Sequence, residues 1–203
     1  MIVRHAMTER DQTVAKIVGI ELEMFLAVNG EDNASCQEHP DTFKLHRRAQ
    51  FAAWSLPTLE SYLNDLRMAQ RSHENLMTLK YARMEGLVPQ VNANPLIDEI
   101  VRINVAWQAE IIQKYPALMS GGRPLTDADA QPRMTSFETY ARGEYETYSD
   151  RTLELLYADM SARLERGANM SEEVYASLVK ESGYASLDEA ERLLAERQGR
   201  ARA

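Results

Sequence analysis

Apolar residues recur every third or fourth position along almost the whole chain, and the alternation of a half-buried strand is missing, so the pattern predicts an all-α protein. Val14, Val18, Leu22 and Phe25 form the stripe of a first helix from near Thr8 to Asn29, with Gly30 as its stop. Residues 30–40 are polar, carry Cys36 and end at Pro40; a helix over 41–54 follows, with Phe43, Arg47, Gln50 and Trp54 on one face. Pro57 lies in the first turn of a third region with Leu59, Leu63 and Leu66 inward, which reaches Arg83 as one helix or as two joined near Ser72. Gly86 and Pro89 end it, and Asn94-Pro95 opens a fourth helix with Leu96, Ile100, Ile103, Trp107 and Ile111 inward, stopped by Pro116.

Gly121, Gly122, Pro124 and Pro132 make 116–134 the longest irregular connection. A fifth helix is predicted from Ser136 to Arg166, closed by Gly167, and two shorter ones over 171–182 and 187–198, the last opened by the capping-box pattern Ser186-x-x-Glu189. The expectation is a single helical domain over 1–203, a bundle of about seven helices with residues 1–7 and 198–203 frayed.

Several polar residues break the apolar stripes. At about 100° per residue, Phe137, Ala141, Glu144, Tyr148 and Leu155 share one face, which places a carboxylate where burial is expected. Glu21 interrupts the first stripe in the same way. A buried carboxylate is costly unless it meets a cation, a metal, a donor or a ligand. Arg47 and Gln50 on the second helix, with His73 and Lys80 on the third region, supply partners from other elements, and facing helices commonly build interior sites from such residues. The plainer alternative is a buried Glu–Arg network that fixes packing and holds no ligand.

Other candidates have stronger structural explanations. Thr135-x-x-Glu138 fits a capping box and Glu138–Arg142 an i,i+4 ion pair, although Arg142 would join a site if the Pro-rich loop folded over it. Tyr140, Tyr145 and Tyr148 fit amphipathic packing, with Tyr148 on the Glu144 face. The string Lys80-Tyr81-Ala-Arg83-Met84 places cations near a helix C-terminus, where the macrodipole favours them; the sharper reading has Arg47 or Lys80 receive a carboxylate or phosphate. Glu21, His46, His73 and Glu144 are the set that a metal would use, but no Glu-x-x-His, His-Glu-x-x-His or paired-Cys pattern supports one. Cys36 lacks a recognisable base, and Gly121-Gly-Arg-Pro falls short of a phosphate loop.

The formal net charge of −8 disfavours nucleic acid and anionic membrane surfaces. No apolar run approaches the roughly 18 residues of a membrane span, the start lacks a secretory h-region, and the single cysteine fits a reducing compartment, so the expected location is cytoplasmic.

The strings Glu21-Leu-Glu23-Met-Phe25, Cys36-Gln37, Arg47-Arg48-Ala-Gln50-Phe51, Trp54-Ser55, Lys80-Tyr81-Ala-Arg83-Met84, Lys114-Tyr115-Pro116, Gly122-Arg123-Pro124 and the segment 135–149 resemble a family known as domain of unknown function 4125. The resemblance implies a bacterial, intracellular, helical protein and carries no activity or cofactor. It covers Glu21, Arg47, Lys80, Glu138 and Glu144 but not His46 or His73, which favours a carboxylate–cation pocket over a metal. Arg142-x5-Tyr148 also resembles a pattern in helical domains that accompany minimal nucleotidyltransferases, an RNA-directed reading that the acidic charge opposes.

These features predict an enzyme acting on an anionic small molecule by acid/base chemistry. Glu21, Glu144 and Tyr148 would be catalytic; Arg47, Gln50, Lys80, Tyr81, Glu138 and Arg142 would bind substrate. The alternatives are a non-catalytic module that binds another protein or dimerises through an apolar patch at Leu178, Tyr184 and Leu187, and a metal-dependent bundle enzyme.

Overall fold

The computed structural model describes residues 7–28, 39–131 and 134–202, so Gly30, Cys36 and Pro132 lie outside the described residues. Within them the chain forms ten α-helices and no strand, where the hydrophobic pattern predicts about seven helices. The helices are α1 (Glu9–Leu26), α2 (Pro40–Ala52), α3 (Leu56–Arg71), α4 (Leu76–Met84), α5 (Leu96–Lys114), α6 (Pro116–Met119), α7 (Phe137–Tyr145), α8 (Asp150–Leu164), α9 (Met170–Glu181) and α10 (Leu187–Arg202). No helix among the described residues is long and apolar enough to cross a membrane.

The three extra helices come from two divisions, one of which the sequence left open near Ser72, and from α6 in the connection after α5. The third region divides at Ser72–Asn75, where His73 takes a left-handed φ of 58° and closes α3. Asn75 then caps α4 by accepting from Thr78 N at 3.0 Å, while its Nδ2 donates to Met24 O on α1 at 2.8 Å. The predicted helix over 136–166 is two helices, because the chain turns at Glu146–Ser149 and Ser149 caps α8. The Glu146 carboxylate, 1% exposed, is spent in that turn on Arg83 Nε at 2.6 Å and on Val91 N at 3.3 Å. The apolar stripe restarts as Leu153, Leu156 and Met160, which leaves Leu155 only half-buried. The connection expected to be irregular contains α6 and a 3-10 turn at Asp127–Asp129.

Helices α3 and α8 run antiparallel and cap each other. Asp159 of α8 accepts from Ser55 N at 2.8 Å and Thr58 Oγ1 at 2.7 Å at the start of α3. Asp65 of α3 accepts from Ser149 N at 3.1 Å and Thr152 Oγ1 at 2.6 Å at the start of α8. A carboxylate at each N-terminus satisfies donors that helical geometry leaves free.

Helix α1 packs against α2, α3 and α4, and α5 against α7, α8 and α9, around a core that includes Ile17, Phe51, Leu59, Leu66, Ile100, Leu153 and Met160. Helix α7 meets α4 at Gly143, where an added Cβ would lie 2.7 Å from Met84 Cγ and 3.3 Å from the Lys80 carbonyl oxygen. The missing side chain brings these helices close enough for Lys80 to reach Glu144.

A second, smaller cluster joins Ile111 and Tyr115 to Val179, Leu187 and Ala190, with Tyr184 packed on it. Tyr184 and Leu187 are therefore covered rather than part of an exposed patch, and Leu178 lines a cavity. Helix α10 continues to Arg202, and Gln198 Nε2 donates to Ala117 O at 3.0 Å.

Candidate functional site

Two carboxylates and two cations converge at the centre of the bundle. Glu21 from α1 and Arg47 from α2 form a bidentate pair, with Arg47 Nε donating to Glu21 Oε2 at 2.7 Å and Nη2 to Oε1 at 2.5 Å. Arg47 Nη1 donates to Glu144 Oε1 on α7 at 3.0 Å and to Gln50 Oε1 at 2.8 Å. Lys80 Nζ from α4 donates to Glu144 Oε2 at 2.6 Å. Two hydroxyls complete the shell: Tyr62 donates to Glu21 Oε1 and Tyr148 to Glu144 Oε1, each at 2.7 Å. Glu21 is 0% exposed, Lys80 2%, Glu144 3% and Arg47 4%, so all four charges are withdrawn from water and their sum is zero.

This matching keeps Glu144, Lys80 and Arg47 ionised. Burial alone would push the Glu144 carboxyl up, but Arg47, Lys80 and the hydrogen bonds from Lys80 and Tyr148 hold it far below the ordinary carboxylate range. Burial disfavours a charged Lys80, and the Glu144 carboxylate together with Tyr140 and Tyr81 outweighs it, raising the ammonium above its usual value. Arg47 is raised in the same way, by Glu144 and Glu21 against burial. Burial and then the neighbouring carboxylates push Tyr62 and Tyr148 up, so both phenols stay protonated. Glu144 Oε1 accepts from Arg47, Gln50 and Tyr148, and Oε2 from Lys80, so four donors hold the carboxylate.

The cluster borders a cavity of about 400 Å³, a size typical of small-molecule sites. Arg47, Gln50 and Glu144 form part of its wall, and Trp54, Phe137, Tyr140, Tyr145 and Tyr175 give it aromatic faces. Asn104 and Gln108 enter from α5, and Gly122 and Arg123 from the connection after α6. Arg123 stacks on the Tyr140 ring with Cζ 4.9 Å from its centroid, and Lys80 Nζ lies 3.6 Å from the same centroid. Arg123 donates to Thr135 O at 3.2 Å and has no ion pair among the described residues.

The structure thus brings Glu21, Arg47, Gln50, Lys80, Glu144 and Tyr148 together, with Tyr81 half-buried and its ring 5.8 Å from Lys80 Nζ. Glu138 and Arg142 stand apart. Ser136, not Thr135, caps α7, and Arg142 pairs with Asp98 at 2.7 Å instead of Glu138. Both line a separate hollow of about 290 Å³ beside Arg83 and Glu146. His46 lies exposed at the cavity, where desolvation and then Arg47 hold its imidazole below its usual pKa, and His73 is exposed at the end of α3. The four residues that a metal would use, Glu21, His46, His73 and Glu144, are not brought together: no three His, Cys, Asp or Glu side chains among the described residues are grouped to hold an ion.

Sequence reasoning missed Tyr62, Asn104, Gln108, Arg123 and Tyr175. Tyr62 stands beside Leu59, Leu63 and Leu66 and reads as packing, while Gln108 adjoins Trp107 on an apolar helix, a signal of the same kind as Glu21.

No curated protein and no solved structure matches the chain. Residues 11–192 match a family described as protein of unknown function (DUF4125). That span holds the whole charge cluster and every residue of the cavity wall, and the chain belongs to this family.

Proposed function

We propose that this protein binds a small organic anion in the cavity between α2, α5, α7 and α9, and that the Glu21–Arg47–Glu144–Lys80 cluster is the rigid scaffold of that site. The observation that carries the reading is charge placement. Among the described residues the cavity wall holds two arginines, Arg47 and Arg123, and one carboxylate, Glu144, for a formal charge of +1 with His46 neutral, in a chain of net charge −8. The paired Arg47 supplies fixed potential, and Arg123 is the cation with unspent donors for an incoming carboxylate.

Acid/base catalysis by Glu144 has less support. Its carboxyl is held ionised and is fixed by four donors, which suits positioning better than proton transfer. Glu21 is similarly engaged by Arg47 and Tyr62. The competing reading, a ligand-free network that specifies helix packing, draws support from complete satisfaction of the buried polar atoms among the described residues. It leaves the cavity beside the network unexplained.

Calorimetric titration with benzoate and its neutral counterpart benzamide tests the proposal. Benzoate should bind saturably and at least tenfold tighter than benzamide, and Arg123→Ala should remove most of that preference, since hydrogen bonds to a charged group contribute about 1.5–3 kcal/mol. Equal affinity for the two probes, or no binding of benzoate, would overturn it.

A further inference from the structure

We propose that the α5 wall of the cavity recognises a lactam edge, the adjacent N–H and C=O of a cyclic amide, on a flat ring-shaped ligand; this rests on the reading of the cavity as a ligand pocket. Asn104 and Gln108 stand one turn apart on α5, and both line the cavity. Each spends its amide nitrogen on a tyrosine: Asn104 Nδ2 donates to the Tyr145 hydroxyl, and Gln108 Nε2 to the Tyr175 hydroxyl at 3.0 Å. Neither carboxamide oxygen accepts a bond among the described residues, and neither hydroxyl donates one.

Gln108 is only 5% exposed, so its free acceptor opens onto the cavity and not onto bulk water. No buried polar side-chain atom among the described residues lacks a partner, so this oxygen is open to the cavity, where a ligand donor would take the place of water. The wall therefore presents two amide–phenol pairs, each with at least one open acceptor and one open donor. Rotating either carboxamide by half a turn exchanges the two roles and still leaves at least one of each. Burial pushes both phenols above their ordinary pKa, so they remain donors at neutral pH. A lactam is the complement: its N–H meets the carboxamide oxygen and its C=O takes the phenol proton. The aromatic surfaces of Trp54, Phe137 and Tyr175, with Met160 and Met170, suit the faces of a flat ring.

Three probes separate this inference from the anion reading: benzoate carries an acid and no lactam, uracil a lactam and no acid, and orotate both on one ring. Calorimetry should show orotate binding at least tenfold tighter than benzoate. Tyr175→Phe and Gln108→Leu should each weaken orotate and uracil by about tenfold and leave benzoate within about twofold. Circular dichroism checks folding, and Tyr175→Phe, which removes a single oxygen, carries the test if Gln108→Leu does not fold. Orotate binding no tighter than benzoate, or variants that weaken all three probes alike, would overturn the lactam assignment while leaving the anion site standing. Uracil bound with benzoate silent would overturn the anion site alone, and silence from all three overturns both.

Discussion

At the scale of single residues, the buried cluster is two ion pairs that must be kept in balance. Removing one member strands the other charge in a dry interior, a loss of about 3–5 kcal/mol. Lys80→Met and Glu144→Gln should therefore each lower the urea midpoint sharply. The double variant should cost clearly less than the sum, because it leaves the bidentate Glu21–Arg47 pair balanced. Strict additivity would show that Lys80 and Glu144 do not interact in solution. The pH dependence has a defined sign. Glu144 is depressed, so its contribution is complete above the ordinary glutamate value of about 4.3 and declines as acid is added below it. Lys80 is raised, so its share is complete below about 10.4 and disappears as pH climbs through the higher folded value. Urea midpoints measured from pH 3 to 6 should fall more steeply with acid for the native chain than for Glu144→Gln; parallel curves would contradict the depressed carboxyl. Glu21 and Glu144 were legible in the sequence because a charge on an apolar stripe violates the helical pattern, and Arg47 and Lys80 entered as cations that could meet them. Tyr62 and Tyr175 were not legible, since a tyrosine on such a stripe satisfies the pattern whether or not its hydroxyl has a task.

Helix type and approximate position followed from periodicity, because burying one face of a helix imposes the 3.6-residue recurrence. The break at Ser72–Asn75 was one of two readings left open near Ser72, while the break at Glu146–Ser149 did not follow, because it is set by contacts of Glu146 with Arg83 and Val91 that sequence spacing does not encode. Ser149-Asp150 did carry a capping signal, which the apolar residues on either side outweighed in a reading by periodicity. The reciprocal caps between α3 and α8 give the prediction at this scale. Asp65→Ala and Asp159→Ala each remove a carboxylate that serves one backbone N–H and one hydroxyl at a helix N-terminus, and each should cost about 1–2 kcal/mol in chemical denaturation. The two caps belong to opposite ends of an antiparallel pair, separated along α3 by about ten residues or roughly 15 Å, so the double variant should equal the sum within about 0.5 kcal/mol. A large departure would mean that the α3–α8 pair shifts as one body when either end is released.

Across the whole molecule, the last helix reaches the cavity without touching it. Glu191 on α10 accepts from Ala117 N at 2.9 Å and Leu118 N at 2.7 Å, holding the start of α6, and Gln198 donates to Ser120 Oγ at 2.9 Å just beyond its end. Gly122 N then donates to Met119 O at 2.9 Å, and the next residue is Arg123 at the cavity. On the far side the same connection is fixed to α7, with Phe137 N donating to Pro124 O at 2.7 Å and Glu138 N to Leu125 O at 3.1 Å. Arg123 is thus positioned from both ends, and one of those anchors depends on a helix that begins 64 residues later. Glu191→Ala leaves two N–H groups of α6 without their acceptor, a cost of about 1–3 kcal/mol confined to this corner of the fold. If the anchor sets the geometry of Arg123, Glu191→Ala should weaken benzoate binding several-fold, in the same direction as Arg123→Ala. Adding Glu191→Ala to Arg123→Ala should then weaken binding no further, because the group being positioned is already gone. Benzoate titrations of the four proteins decide the matter. Unchanged affinity in Glu191→Ala, or full additivity in the double variant, would mean that Arg123 is held by Tyr140 and Thr135 alone and that α10 serves only to close the bundle.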